Sequence, residues 1–97
     1  MQQYMENIAR SIVTVGSTLG LHARPAAQLV HLAGKFQSDV KIIRTDGKGE
    51  ADGRSVLSIL MLAAAKDTEL ELRASGVDAE NAVSALSDYF LRNFDEN

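Results

Sequence analysis

Residues 68–74 read TELELRA, the strictest alternation of apolar and polar side chains in the chain. Successive side chains of a strand point to opposite faces, so Leu70, Leu72 and Ala74 share one face and the charged residues share the other. This segment predicts a strand that buries one face against a core and exposes the other to solvent.

Three other stretches predict the remaining strands of a sheet. Residues 8–15 alternate weakly and are followed by the loop-like segment GSTLG. Residues 39–44 also alternate, and the Asp46-Gly47 pair that follows them is a hairpin signal before a polar return segment at 48–52. The sequence therefore predicts about four strands.

Residues 22–36 have the periodicity of a first helix that ends near Gly34. Its apolar residues recur at spacings of three and four: Ala26, Leu29, Val30 and Ala33. This spacing predicts one apolar stripe, which would face the core.

Two further helices are predicted in the second half of the chain. Ser55 is well placed to cap the first of them, because residues 56–63 hold good helix formers and few residues that interrupt a helix. Asp78 is the predicted cap of the last helix. The stripe of that helix is formed by Ala82, Val83, Leu86 and Phe90. Residues 93–97 are expected to fray.

The predicted order of elements is β-α-β-β-α-β-α. A sheet with one buried face accounts for every stripe if all three helices pack on that face. We expect an α+β fold, an open-faced β-sandwich with a four-stranded antiparallel sheet. Residues 1–97 would form a single domain with a core at about 8–92.

Composition excludes several classes of function. The chain has 97 residues, 45% apolar content, no cysteine and a formal charge of −3. Without cysteine there are no disulfides, thiolate zinc sites or thiol nucleophiles. Nucleic acid is not the expected partner, because its binding needs a basic face. No apolar run reaches the roughly 20 residues of a membrane span, and no signal-peptide pattern is present, so we expect a cytoplasmic protein without metal, cofactor or membrane contact.

The segment GLHARPA at residues 20–26 carries the chemistry. It places His22 at the mouth of the first helix, with Ala23 and Pro25 in the first turn, where free N–H groups favour an anion. Pro25 fits there because its missing N–H costs nothing. The helix field favours a neutral, nucleophilic imidazole at His22, and Arg24 adds a guanidinium for phosphate oxygens.

Physics alone leaves a second interpretation of His22 open. A lone histidine near a helix start is more often a cap or a surface residue than a nucleophile. The chain's other histidine, His31, lies nine residues further on, about half a turn round the helix, so the two cannot share a metal ion. His31 is expected on the surface.

Residues 20–26 resemble the active-site motif of the HPr family, the histidine-containing phosphocarriers of the phosphoenolpyruvate-dependent phosphotransferase system. The resemblance extends over about residues 12–90, and the order of elements is similar. It implies that His22 carries a phosphoryl group on Nδ1, that Arg24 binds this group, and that Ser55 is the regulatory serine.

The resemblance also implies the partners. Members of the family take the phosphoryl group from enzyme I and pass it to an enzyme IIA protein, for sugar uptake or nitrogen-related regulation. A member is a carrier and not an enzyme, since it turns over no small molecule of its own. We expect a monomer, and an HPr kinase as a partner if Ser55 is phosphorylated. The alternative is a non-catalytic regulatory module that acts through the surface around His22 and residues 56–60.

An exposed apolar surface beside His22 is the implied contact for partner helices. We call it the docking surface, and its predicted members are Ala27, Val56, Leu57 and Leu60. Ile59 and Leu62 are expected in the core instead.

The branch of the family is less clearly marked. Leu19, the run at 55–62 and the ending at 94–96 resemble the nitrogen-related branch. His31 and Ser58 stand where many sugar-branch members have lysines, and their loss would change the electrostatic match to acidic partners.

Overall fold

The computed structural model describes residues 7–96 of the chain. In chain order its elements are β1 (Ile8–Thr14), α1 (Ala23–Ala33), β2 (Asp39–Arg44), β3 (Glu50–Asp52), α2 (Val56–Leu60), β4 (Glu69–Ser75), α3 (Ala79–Leu91) and a 3-10 turn at Asn93–Asp95. The order predicted from the sequence is confirmed.

The four strands form one sheet in the order β1-β4-β2-β3, and every neighbouring pair is antiparallel. The alternation in β4 has the expected result, because Leu70, Leu72 and Ala74 are fully buried. α3 packs on β1 and β4, while α1 packs against α2 and α3. The α+β open-faced sandwich is therefore confirmed.

The hairpin between β2 and β3 begins its return strand later than predicted. Gly47 has a φ of +80°, which suits glycine, and its N–H donates to the carbonyl of Arg44 at 3.2 Å. The N–H of Lys48 then donates to the Asp46 carboxylate at 2.9 Å. Residue 48 is thus part of the turn, so the strand is confined to Glu50–Asp52.

The prediction of a helix over residues 56–63 is wrong beyond Leu60. The chain turns after this point, with Ala63 at a φ of +50°. Arg44 provides the reason on the other side of the loop, because its Nη1 donates to the carbonyls of Leu62 at 2.9 Å and Ala63 at 3.3 Å. Both carbonyls lie beyond the C-cap residue Met61, so Arg44 holds the chain in the turn that follows the helix.

Asp78 occupies the N-cap position of α3, but the prediction that its side chain caps the helix is wrong. Its Oδ1 accepts from the N–H of Ser38 at 2.9 Å and from the Ser38 hydroxyl at 2.6 Å, and its Oδ2 accepts from the N–H of Gln37 at 2.9 Å. These bonds lower the pKa of Asp78, with the Ser38 hydroxyl contributing most. The carboxylate therefore ties the α1–β2 connection to the start of α3.

The expectation that the tail frays is also wrong for residues 93–96, while Asn97 lies outside the described residues. Phe94 is only 5% exposed, and its ring centroid lies 5.3 Å from that of Tyr89 and 5.0 Å from that of Phe90. Residues 93–95 all have positive φ, so the chain bends back on itself after α3. Burial of an aromatic ring offsets the cost of these left-handed conformations.

Candidate functional site

The loop before α1 is held against the segment that follows α2. The N–H of Leu21 donates to the carbonyl of Ala64 at 2.8 Å. Gly20 has a φ of +70°, and a Cβ at this position would lie 2.8 Å from the same carbonyl oxygen. Only glycine fits such a close approach in this conformation. The contact fixes where the chain enters α1 and thus where His22 lies.

His22 is the N-cap residue of α1, yet its side chain makes no capping hydrogen bond. An N-cap side chain usually accepts from the N–H of the second or third helical residue. The third residue here is Pro25, which has no N–H to offer. Of the two N–H groups that an N-cap side chain could accept from, the one at Pro25 does not exist and the one at Arg24 makes no bond to His22. His22 is therefore not an ordinary helix cap.

The first turn of α1 leaves backbone donors free. The first intrahelical N–H, that of Ala26, donates to the His22 carbonyl at 3.0 Å. Within residues 7–96 no backbone acceptor faces the N–H groups of Ala23 and Arg24. Both residues are exposed, whereas Pro25 is buried. The first turn thus has two N–H groups without a backbone partner at the positive end of the helix dipole, an arrangement that favours an anion.

The imidazole of His22 is bonded through Nε2. This atom lies 2.6 Å from Oε1 of Glu96, and the two side chains are 30% and 27% exposed. Hydrogen bonds from Ser17 and then from His22 lower the pKa of Glu96, so its carboxylate is ionised near neutral pH and can only accept. Nε2 therefore carries the hydrogen. In the neutral ring Nδ1 is then the unprotonated, nucleophilic nitrogen.

Arg24 is placed to hold an anion without being engaged elsewhere. Its side chain is exposed, and it makes no ion pair within 4.0 Å in the part of the chain that the structure describes. The positive charge of Arg24 contributes, after the hydrogen bonds from Ser17 and His22, to the lowered pKa of Glu96. A guanidinium near the mouth of α1 complements the free N–H groups.

The predicted docking surface is exposed at three of its four positions. Leu57 is 69% exposed, Leu60 is 37% exposed and Ala27 is exposed on α1, whereas Val56 is partly buried against the core. Ile59 and Leu62 are buried, as the sequence predicts. Met61, the C-cap residue of α2, is a further exposed apolar side chain, at 76%.

Ser55 is the N-cap residue of α2, and here the side chain does cap the helix. Its Oγ accepts from the N–H of Ser58 at 3.1 Å. Ser58 in turn accepts from the N–H of Asp52 through its own Oγ at 2.9 Å. The capping role predicted for Ser55 is confirmed.

His31 is exposed on α1, as expected. No cluster of three potential metal ligands occurs among residues 7–96. In the same range no helix is long and apolar enough to cross a membrane.

Sequence reasoning missed Glu96 and Ser17. Glu96 is 74 residues from His22 in the sequence and lies in a tail expected to fray. Ser17 lies in a loop, and nothing in its neighbours indicates that it is 1% exposed and donates to Glu96 at 2.6 Å. The only feature of the sequence that drew attention to Glu96 was the ending at 94–96, which resembles the nitrogen-related branch of the family.

A histidine with a free Nδ1 at a helix mouth, on an open-faced sandwich, defines a class of small proteins that can carry a phosphoryl group. Residues 9–91 match the family model described as the phosphorylation site of the HPr component of the phosphotransferase system. The chain belongs to the HPr family of phosphocarrier proteins, which are carriers and not enzymes.

Individual relatives agree with this placement. The phosphocarrier protein HPr of Pseudomonas aeruginosa is 38% identical over 84 residues, which cover 87% of this chain and 92% of the relative. The phosphocarrier protein NPr of Escherichia coli is 38% identical over 88 residues, which cover 91% of this chain and 97% of the relative. A crystal structure of HPr from Thermoanaerobacter tengcongensis superimposes with a TM-score of 0.84 at 30% identity, covering 92% of this chain and 98% of that one.

Proposed function

We propose that this protein accepts a phosphoryl group on Nδ1 of His22 from phosphorylated enzyme I and passes it to an enzyme IIA protein. The observation that carries the proposal is the bonding of the ring. Nε2 is engaged by Glu96 at 2.6 Å, whereas Nδ1 has no bond within residues 7–96, beside the free end of α1.

The surroundings of His22 suit a group that must be held briefly and then released. A phosphoryl group on a ring at the N-cap position lies at the positive end of the helix dipole. The N–H groups of Ala23 and Arg24 and the guanidinium of Arg24 supply donors for its oxygens. These contacts are exposed, so a partner can reach the phosphorus from solvent.

Docking of both partners is proposed on the apolar surface formed by Ala27, Leu57, Leu60 and the exposed edge of Val56. Exposed apolar side chains are typical of protein contact sites, and the helix that carries Leu57 and Leu60 packs against α1, which begins after His22. Ser55 lies at the start of the helix that bears Leu57 and Leu60. A phosphate there would add negative charge at the edge of this surface, so we propose Ser55 as a regulatory position for a kinase.

The branch of the system is tested by the acceptor. The HPr of Pseudomonas aeruginosa and the NPr of Escherichia coli are equally similar to this chain, at 38% identity each. Transfer from this protein to one type of enzyme IIA and not to the other would assign it to sugar uptake or to nitrogen-related regulation. The cytoplasm stays the predicted location.

The proposal is tested by incubating the protein with phosphoenolpyruvate and enzyme I. We expect one acid-labile phosphate per chain, and none in His22→Ala. The matched control is His31→Ala, which removes the other histidine from the exposed face of α1 and should accept phosphate like the wild type. If enzyme I binds but no phosphate is incorporated, the regulatory module becomes the better account.

A further inference from the structure

The carboxylate of Glu96 reaches the active-site ring from the far end of the chain. Its two oxygens have different partners, since Oε1 lies 2.6 Å from Nε2 of His22 and Oε2 accepts from the Ser17 hydroxyl at 2.6 Å. Ser17 also accepts from the N–H of Leu19 at 3.1 Å, which leaves its hydroxyl hydrogen for Glu96. The carboxylate is therefore held in one orientation.

The tail that carries Glu96 is itself anchored. Phe94 is buried against Tyr89 and Phe90, and residues 93–95 adopt left-handed backbone conformations that non-glycine residues rarely accept. Conformations of this kind persist only where the surrounding structure holds them, and they occur most often at functional sites. The bend is what brings the next residue, Glu96, to the imidazole.

We propose that Glu96 is a positioning residue for phosphoryl transfer, which orients the His22 ring through Nε2–H and balances the positive charge that develops on it. This inference rests on the proposed function, since it assigns a role in the transfer to and from His22. It extends that function to a carboxylate and to Ser17, which holds the carboxylate in place.

The step balances without any further reactant. The lone pair of Nδ1 forms the new bond to phosphorus, while the donor's bond to phosphorus breaks and its electron pair stays on the donor. The ring gains positive charge as the new bond forms. The Nε2 hydrogen stays on His22 and its bond to the nearby carboxylate becomes stronger, as in the histidine–aspartate pairs of serine proteases. On transfer to the acceptor the same events run in reverse.

Glu96→Gln removes the charge but keeps the size of the side chain. We expect phosphorylation of this variant by enzyme I to slow roughly tenfold to a hundredfold, the range for a lost charge-assisted contact. The matched control is Asp95→Asn, which removes the same charge one residue earlier, where the carboxylate pairs with Arg92 at 2.8 Å and not with His22. This control should react at the wild-type rate.

A second measurement separates positioning from a structural role. The 15N spectrum of the His22 ring at a pH where it is neutral should show only the Nε2–H form in the wild type and a mixture of both tautomers in Glu96→Gln. Ser17→Ala frees one oxygen of Glu96 and should give an intermediate rate and an intermediate spectrum. Unfolding temperatures identify any variant that fails to fold.

The inference is overturned if Glu96→Gln shows the wild-type rate and ring spectrum, or if Asp95→Asn slows the reaction equally. Failure of the proposed function looks different. In that case the wild type accepts no phosphate at all, while the ring spectra of wild type and Glu96→Gln still show whether Glu96 orients the imidazole.

Discussion

The starts of α1 and α2 both have an N-cap residue with an extended backbone, but only α2 has a side chain that caps it. In α2 the N-cap residue Ser55 accepts from the N–H of the third helical residue, Ser58, at 3.1 Å. In α1 the N-cap residue is His22, the third residue is Pro25, and no side chain caps the turn. We call the start of α2 closed, because a side chain caps it and stabilises the helix. We call the start of α1 open, because the N–H groups of Ala23 and Arg24 have no backbone partner within residues 7–96.

The difference shows that unpaired N–H groups in the first turn of a helix can help to identify a candidate functional site. Proteins usually satisfy the first turn of a helix, so an uncapped turn beside Arg24 and an oriented imidazole has the donors that an anionic ligand would use. The comparison predicts that changes at the start of α1 affect transfer and leave stability alone. Changes at the Ser55 cap should affect stability first.

Among variants that keep the nucleophile His22, the largest effect at the two helix starts is expected for Arg24→Ala. Loss of one charge-assisted contact, worth roughly 1.5–3 kcal/mol, should slow transfer to His22 about ten- to a hundredfold if the contact is fully formed in the transition state. Stability should change by less than about 0.5 kcal/mol, because the side chain is exposed. Rapid-quench kinetics and thermal unfolding measure the two quantities.

The matched control for Arg24→Ala is Arg10→Ala, which removes an exposed guanidinium from β1. It should leave transfer unchanged. Equal transfer rates for Arg24→Ala and the wild type would show that the open end of α1 does not use its arginine.

Leu57→Glu tests the surface that the short helix presents. At 69% exposure Leu57 contributes little to the core, so enzyme I binding should weaken while the fold survives. Leu91→Glu, on α3 at 80% exposure, is the control and should bind normally. Calorimetry that shows a loss of several kcal/mol of stability, with binding intact, would place Leu57 in the core instead.

The closed helix start is tested at Ser55. Ser55→Ala should lose about 1 kcal/mol of cap energy and keep the wild-type rate of phosphorylation at His22. Ser55→Asp should keep the thermal midpoint, because aspartate is also a good cap, but it should react more slowly with enzyme I. Equal rates for Ser55→Asp and the wild type would leave Ser55 as a cap without a regulatory role.

The smallest effect is expected in acid, at Asp46 in the turn between β2 and β3. Hydrogen bonds from Arg44 and then from the N–H of Lys48 lower the pKa of Asp46 from 3.8 to about 2. A lowered pKa stabilises the fold above pH 3.8, and this contribution disappears as the pH falls through about 2. The free energy of unfolding of Asp46→Asn should therefore decline less between these pH values than that of the wild type. If the free energy of unfolding of the two proteins changed equally over this pH range, the lowered pKa of Asp46 would be contradicted.

Local patterns predicted the parts of this fold that depend on neighbouring residues. The alternation in β4 and the stripe in α1 gave the correct elements because side-chain burial there follows a fixed period. The end of α2 could not be predicted from neighbouring residues, since the turn that follows it is bonded to Arg44, a distant residue on β2. Aspartate is a common N-cap residue, so Asp78 was predicted to cap α3. Its oxygens instead accept hydrogen bonds from Ser38 and Gln37, which lie 40 and 41 residues away in the sequence.

The candidate site divides in the same way. His22, Arg24 and Pro25 are adjacent in the sequence, so their grouping and their place at a helix start could be predicted. Glu96 and Ser17 reach the imidazole only through tertiary structure, across 74 residues and through a left-handed bend held by Phe94. No periodicity or spacing signals a contact of that kind.

The central claim is that Nδ1 of His22 accepts the phosphoryl group while Nε2 stays bonded to Glu96. The most direct test is the ring 15N spectrum of the histidines after reaction with phosphoenolpyruvate and enzyme I. We expect the Nδ1 resonance of His22 to show coupling to phosphorus, with Nε2 still protonated and His31 unchanged. Phosphorus attached to Nε2 of His22, or to His31, would contradict the account.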